Sequence, residues 1–122
     1  MKKLIVIKEK NKYGFANEAS LRKVIPCKFD YAYDFEGNFA VVQKNKKWGL
    51  INEEGEEVIP TIYDLVYRIK NYYIIEENGK LGISDNRGNI VLPCQYTEED
   101  IKEFLENRKK LMKNRNEELE NA

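Results

Sequence analysis

Three segments of this 122-residue chain say nearly the same thing, and that repetition limits its fold more than any other feature. Lys12-Tyr13-Gly14-Phe15-Ala16-Asn17, Lys47-Trp48-Gly49-Leu50-Ile51-Asn52 and Lys80-Leu81-Gly82-Ile83-Ser84-Asp85 are each followed by a turn. Then comes Val24-Ile25-Pro26, Val58-Ile59-Pro60 or Val91-Leu92-Pro93. The motif glycines step by 35 and 33 residues and the motif prolines by 34 and 33. A fixed period of this size marks a repeat architecture, in which one supersecondary unit buries its apolar face only against its neighbours.

Within a unit the patterning is that of strands. Phe29-Asp30-Tyr31-Ala32-Tyr33-Asp34-Phe35 and Tyr63-Asp64-Leu65-Val66-Tyr67-Arg68-Ile69 alternate with a period of two, which predicts one seven-residue strand with a single buried face. Glu36-Gly37-Asn38 and Lys70-Asn71 form turns into Phe39-Ala40-Val41-Val42-Gln43 and Tyr72-Tyr73-Ile74-Ile75, which match Leu4-Ile5-Val6-Ile7. In the motif strands Trp48 shares a face with Leu50, Tyr13 with Phe15, and Leu81 with Ile83. Each glycine is left on the other face, where an aromatic ring is expected to cover it. Trp48 is therefore assigned to the core. Asn52-Glu53-Glu54-Gly55 and Asp85-Asn86-Arg87-Gly88 have the chemistry of a type I turn closed by a glycine bulge, so each motif strand folds back as a hairpin. The prolines are expected to end the returning strands.

After Tyr96 the pattern changes. Thr97-Glu98-Glu99-Asp100 is an N-terminal helix signal, and Ile101, Phe104, Leu105, Leu111 and Met112 fall near helical spacing. Glu98 with Lys102 and Glu106 with Lys110 add i,i+4 pairs. The expectation is a mainly β chain: residues 1–96 as three tandem antiparallel meander repeats (about 4–35, 39–69 and 72–96). Residues 97–122 then form a capping helix, from about 98 to 115, and a frayed tail. The repeats form an open array, with closure into a small barrel or trefoil as the alternative.

The units resemble the WG-repeat family of bacterial proteins, whose pattern runs Lys-Trp-Gly-aromatic-Ile-Asp, a turn with Gly, Val-Ile-Pro, a spacer and aromatic-Asp. The middle unit carries it almost whole, from Lys47 to Tyr63-Asp64, while Tyr13 and Leu81 replace the tryptophan in the flanking units and Thr97 stands where the last aspartate would be. The resemblance covers about residues 4–96 and implies a β-rich, non-catalytic module for protein interactions.

Composition narrows the chemistry. The chain has no histidine, which removes Ser-His-Asp and Cys-His arrangements and most zinc sites. Cys27 and Cys94 both follow a motif proline, a repeat or more apart, too far for a disulfide, and fit a reducing compartment. There is no phosphate-loop fingerprint, and Glu53-Glu54, Glu56-Glu57 and Glu76-Glu77 fall at turns and strand ends. No catalytic residue, metal ligand or cofactor is expected. The short apolar run at the N-terminus and the lack of a membrane-spanning stretch predict a soluble, cytoplasmic chain.

Charge is uneven although the net is zero. Residues 1–47 hold 11 Lys/Arg against 5 Asp/Glu, a balance of +6, residues 48–96 a balance of −4, and residues 97–122 one of −2. Laid along a repeat axis, this gradient can orient a charged partner. The candidate partner-binding residues are Tyr31, Tyr33, Tyr67, Tyr72, Tyr73, Lys44 and Lys46. The structural motif set is Tyr13, Gly14, Trp48, Gly49, Leu81, Gly82, Pro26, Pro60 and Pro93. The partner expected is another protein, a toxin domain neutralised by this chain being the more specific alternative. Single-stranded nucleic acid, suggested by lysines beside Trp48 and Tyr13, is the lesser one, and monomer is the expected state.

Overall fold

The computed structural model describes residues 3–108, in which eleven strands form three antiparallel sheets followed by one helix. The first sheet is β1 (Leu4–Glu9), β2 (Lys12–Asn17) and β3 (Lys23–Phe29). The second is β4 (Tyr31–Ala32), β5 (Phe39–Lys44), β6 (Lys47–Asn52) and β7 (Glu57–Tyr63). The third is β8 (Leu65–Ile69), β9 (Tyr72–Glu77), β10 (Lys80–Asp85) and β11 (Ile90–Tyr96). Strands in each sheet follow chain order, so every connection is a local turn. The sheets stack without closing into a barrel. The helix α1 begins at 98 and runs to the last described residue, 108. The segments expected to carry Leu111, Met112, the Glu106–Lys110 pair and the frayed tail lie wholly or partly outside the described residues.

Hairpin geometry repeats from unit to unit. Tyr13 pairs with Phe29 and Phe15 with Ile25; Trp48 with Tyr63 and Leu50 with Ile59; Leu81 with Tyr96 and Ile83 with Leu92. Two residues of the motif strand thus oppose four of the returning strand, a bulge that contains the proline. Pro26, Pro60 and Pro93 therefore do not end their strands, as expected from sequence, but sit at the bulge. A missing N–H is harmless there, and β3 runs on to Phe29. The bulge also accounts for the glycines. A Cβ on Gly14, Gly49 or Gly82 would lie 2.4–2.5 Å from the carbonyl oxygen of Ile25, Ile59 or Leu92. Neighbouring backbone, rather than the aromatic ring expected, takes the space a side chain would need.

The asparagines and the aspartate that end the motif strands organise the turns. Asn52 Oδ1 accepts from the N–H of Glu54 and Glu56 (3.1 and 2.9 Å), and Asp85 Oδ1 from those of Arg87 and Asn89 (2.8 and 2.9 Å). Gly88 closes its turn at φ +86° and packs so tightly on the second sheet that a Cβ would come within 1.7 Å of the Val58 oxygen.

The second and third sheets have buried residues on both faces. The first core cluster joins Leu4, Phe15, Ile25 and Phe29 of the first sheet to Ala32, Ala40, Val42 and Ile51 of the second. The second joins Leu50, Ile59 and Tyr63 to Val66, Tyr73 and Ile75 of the third. The third joins Ile74 and Ile83 to Ile101, with Phe104 and Leu105 of α1 packed around them. The helix thus covers the last sheet. Thr97 and Asp100 form a reciprocal cap at its start, in which Thr97 N–H donates to Asp100 Oδ2 (3.0 Å) and Asp100 N–H to Thr97 Oγ1 (3.2 Å).

The expected seven-residue strands at 29–35 and 63–69 are each divided, because Asp30 and Asp64 take the chain from one sheet to the next. Phe29 and Tyr63 face one core, whereas after the aspartate it is the even residues, Ala32 and Val66, that are buried. Tyr31, Tyr33, Leu65 and Tyr67 are left exposed. Each aspartate is also a latch between sheets. Asp30 takes the Lys12 ammonium through one oxygen and, through the other, the Asn45 N–H of the β5–β6 turn (2.7 Å). Asp64 does the same with Lys47 and the Asn78 N–H (2.9 Å). The lysine bond, aided by the amide, holds both carboxyls below the usual carboxylate range.

A candidate groove between the second and third sheets

Stacking is offset. β4 and β5 lie over β2 and β3, and β8 and β9 over β6 and β7, so β1 and β5 are covered less fully by the next sheet than their neighbours are. Above β5 this leaves a groove of about 790 Å³. Phe39 and Val41 of β5 are among its lining residues; Tyr33 and Trp48 stand on the second-sheet side and Leu65, Tyr67 and Tyr73 on the other. Tyr33 stacks on Trp48 with ring centroids 5.7 Å apart and an interplanar angle of 29°, and Tyr31 meets the same indole edge-on at 6.1 Å. Tyr33 and Tyr67 are 54% and 40% exposed, enough for each ring to offer a face to a ligand.

Asp34 and Glu36 line one side and Arg68 and Lys70 the other; Glu36 and Arg68 pair at 3.2 Å and tie the two sides together. Burial, reinforced by the carboxylates of Glu98 and Glu76, holds the Tyr67 phenol above its ordinary pKa, and burial does the same for Tyr73. Both are neutral hydroxyls across the physiological range, able to donate and accept a hydrogen bond beside an apolar face.

Of the candidate partner residues, Tyr33, Tyr67 and Tyr73 line the groove and Tyr31 abuts it through Trp48. Tyr72 is elsewhere, in the third cluster with the Arg108 guanidinium 5.5 Å from its ring centre. Lys44 and Lys46 belong to the end of β5 and its turn and do not line the groove. Trp48, assigned to the core from sequence, is half-buried: it packs against the second cluster and is also open to the groove. Sequence reading also missed Phe39, Val41 and Leu65, which look like ordinary strand residues until the offset uncovers them. Two of the lysines that suggested nucleic-acid binding, Lys12 and Lys47, are committed to the aspartate latches.

Cys27 and Cys94 are free, half-buried thiols on different sheets, each pushed up in pKa chiefly by burial. That is the opposite of an activated nucleophile. Among the described residues no cluster of His, Cys, Asp and Glu could hold a metal ion, and no helix is long and apolar enough to cross a membrane.

Stacked, sequentially connected β-hairpin units that bury their faces only against one another define a tandem β-repeat protein. The particular class is given by the family model described as WG containing repeat, which matches residues 13–48 and 48–80, more than half of the chain, and the chain belongs to that family. The third hairpin lies beyond the match but keeps its pairing geometry. No curated protein and no solved structure was found to match the chain.

Proposed function

We propose that this chain is a non-catalytic protein-interaction module whose groove between the second and third sheets receives the partner. The observation that carries this reading is the convergence of Tyr33, Trp48 and Tyr67 on one open, apolar-floored groove. Partly exposed Tyr and Trp side chains supply large contact area at small cost in side-chain entropy, and they dominate the energetics of protein interfaces. The lack of histidine and the placement of paired carboxylates at turns and strand ends support a binding rather than a catalytic role. A toxin domain is the more specific partner, favoured by the basic-to-acidic gradient that the stacking order lays along the molecule. Two free thiols favour the cytoplasm as its location.

The test begins with affinity isolation from the native host, followed by titration of the purified partner. Trp48 is the chain's one tryptophan, so its fluorescence reports occupancy of the groove directly. The Tyr33→Ala, Tyr67→Ala double variant should lose roughly tenfold or more in affinity while its urea midpoint changes little. Equal affinity of the double variant for the purified partner would remove the groove from the reading.

A further inference from the structure

The groove has two sides whose rings do not meet. On the second-sheet side Tyr33 lies stacked on Trp48, and on the third-sheet side stands Tyr67. Among the described residues no ring contact joins Tyr67 to Tyr33 or Trp48, although all three line the same groove. Both tyrosines are exposed, so the gap between them is bordered by accessible rings.

The backbone has little to add there. Val66 of β8 is buried in the second core cluster, and Phe39 and Val41 pack against that cluster. An occupant is therefore held by side chains: the three rings, the exposed Leu65, and the neutral Tyr67 phenol, which can donate a hydrogen bond.

Three modes of peptide recognition compete for such a surface. Strand addition needs a free sheet edge. A docked helix, about 10–12 Å across, needs walls set well apart, whereas Glu36 and Arg68 reach across this groove and pair at 3.2 Å. A polyproline II segment needs neither. It has no internal hydrogen bonds, presents carbonyl acceptors to donors such as a phenol, and seats its prolines among aromatic side chains. The five residues of β8 make a wall of roughly 13 Å, which about five residues of polyproline II span.

Charge orients the segment. Across β5 and β6, Gln43 pairs with Trp48 and Phe39 with Asn52. Tyr33 N–H donates to Val41 O (3.0 Å) and Glu36 N–H to Phe39 O (2.8 Å). Asp34 therefore belongs to the tryptophan end of the groove, and Lys70, past the Glu36–Arg68 pair, to the other end. Glu36 and Arg68 neutralise each other. Among the described residues neither Asp34 nor Lys70 forms an ion pair, and both are exposed. The tryptophan end thus favours a cation and the far end does not.

We infer that the groove takes a proline-rich segment of another protein in the polyproline II conformation. A proline ring sits between Tyr67 and the Tyr33–Trp48 pair, and a basic residue of the segment lies on Asp34. This inference rests on the interaction-module reading and specifies the form of the partner.

Selection of random short peptides on phage against the full chain, followed by synthesis of the best binder, tests it. The enriched peptides should share two prolines three positions apart, flanked by arginine or lysine. Titration of the synthetic peptide should change Trp48 fluorescence and saturate, and alanine in place of both prolines should weaken binding roughly tenfold or more. Asp34→Arg alters an exposed side chain outside the core clusters. It should weaken the basic peptide by a similar factor and recover affinity for a peptide carrying glutamate in place of the basic residue.

Enriched peptides without proline, or an affinity indifferent to the loss of both prolines, overturn the inference. So does a selection that yields no binder able to change Trp48 fluorescence, or an Asp34→Arg variant that binds the basic peptide as tightly as the unaltered chain. Self-association of the chain that alters Trp48 fluorescence would assign the groove to a second copy and overturn it as well. In each case the interaction-module reading stands or falls separately, on the titration of the purified partner against the tyrosine variant.

Discussion

At the scale of single residues, the recurring glycine of the motif is a packing requirement of the bulge. Gly49→Ala pushes a methyl group into the Ile59 and Pro60 backbone, which cannot swing aside as a side chain would. A cost of about 3 kcal/mol, the upper range for overpacking, is expected in urea unfolding. A change below about 1 kcal/mol would mean that the bulge relaxes freely. The first unit supplies the converse case. Its turn has one extra residue and no glycine, and it places Leu21 at φ +60° with 72% of its surface exposed. Leu21→Gly removes left-handed strain without losing packing, and a gain of about 0.5–1 kcal/mol is expected in the same assay.

At the scale of elements, the sheets are held in register by apolar contact and by the two aspartate latches. In both latches the folded-state carboxyl has a depressed pKa. The unfolded chain therefore binds more protons near the carboxylate range, so the stabilisation is fully present above the unfolded value and fades as pH falls through the folded one. The Asp30→Asn, Asp64→Asn double variant should have a lower urea midpoint at pH 7 and a flatter loss of stability between about pH 5 and pH 2. An acid limb identical to that of the unaltered chain would show that the latches carry no net stability.

The third unit has no such aspartate. Thr97 stands there and starts the helix, and Ile101, Phe104 and Leu105 cover the sheet instead. A chain ended at Tyr96 exposes that face and should self-associate in size-exclusion chromatography. A monomeric, cooperative 1–96 body with an unchanged melting temperature would refute capping.

At the scale of the whole molecule, sequence order becomes spatial order because every connection is local and each sheet packs only on its neighbours. The +6 of residues 1–47 and the −4 of residues 48–96 are therefore set along one axis. With the purified partner, association should slow as salt rises from about 0.05 to 0.5 M, while dissociation changes little. A salt-independent association rate would leave the gradient without a role in binding.

Much of this was legible in the chain. Period, motif and turn chemistry determined three hairpin units, since local hydrogen bonding and alternating burial act over a few residues and leave their mark in a few residues. The Thr97–Asp100 cap and the Ile101, Phe104 and Leu105 spacing determined the helix for the same reason. The alternation across Phe29–Phe35 misled because period counts take no account of a residue such as Asp30, which ends one strand and starts the next in a different sheet. The groove was legible only in its tyrosines, Tyr33, Tyr67 and Tyr73. Phe39 and Val41 pattern as core, and what leaves them half-buried beside a groove is the offset and the facing of one sheet on another. Those are relations between units distant in the chain, and only tertiary packing decides which face of a strand is covered and which is left for a partner.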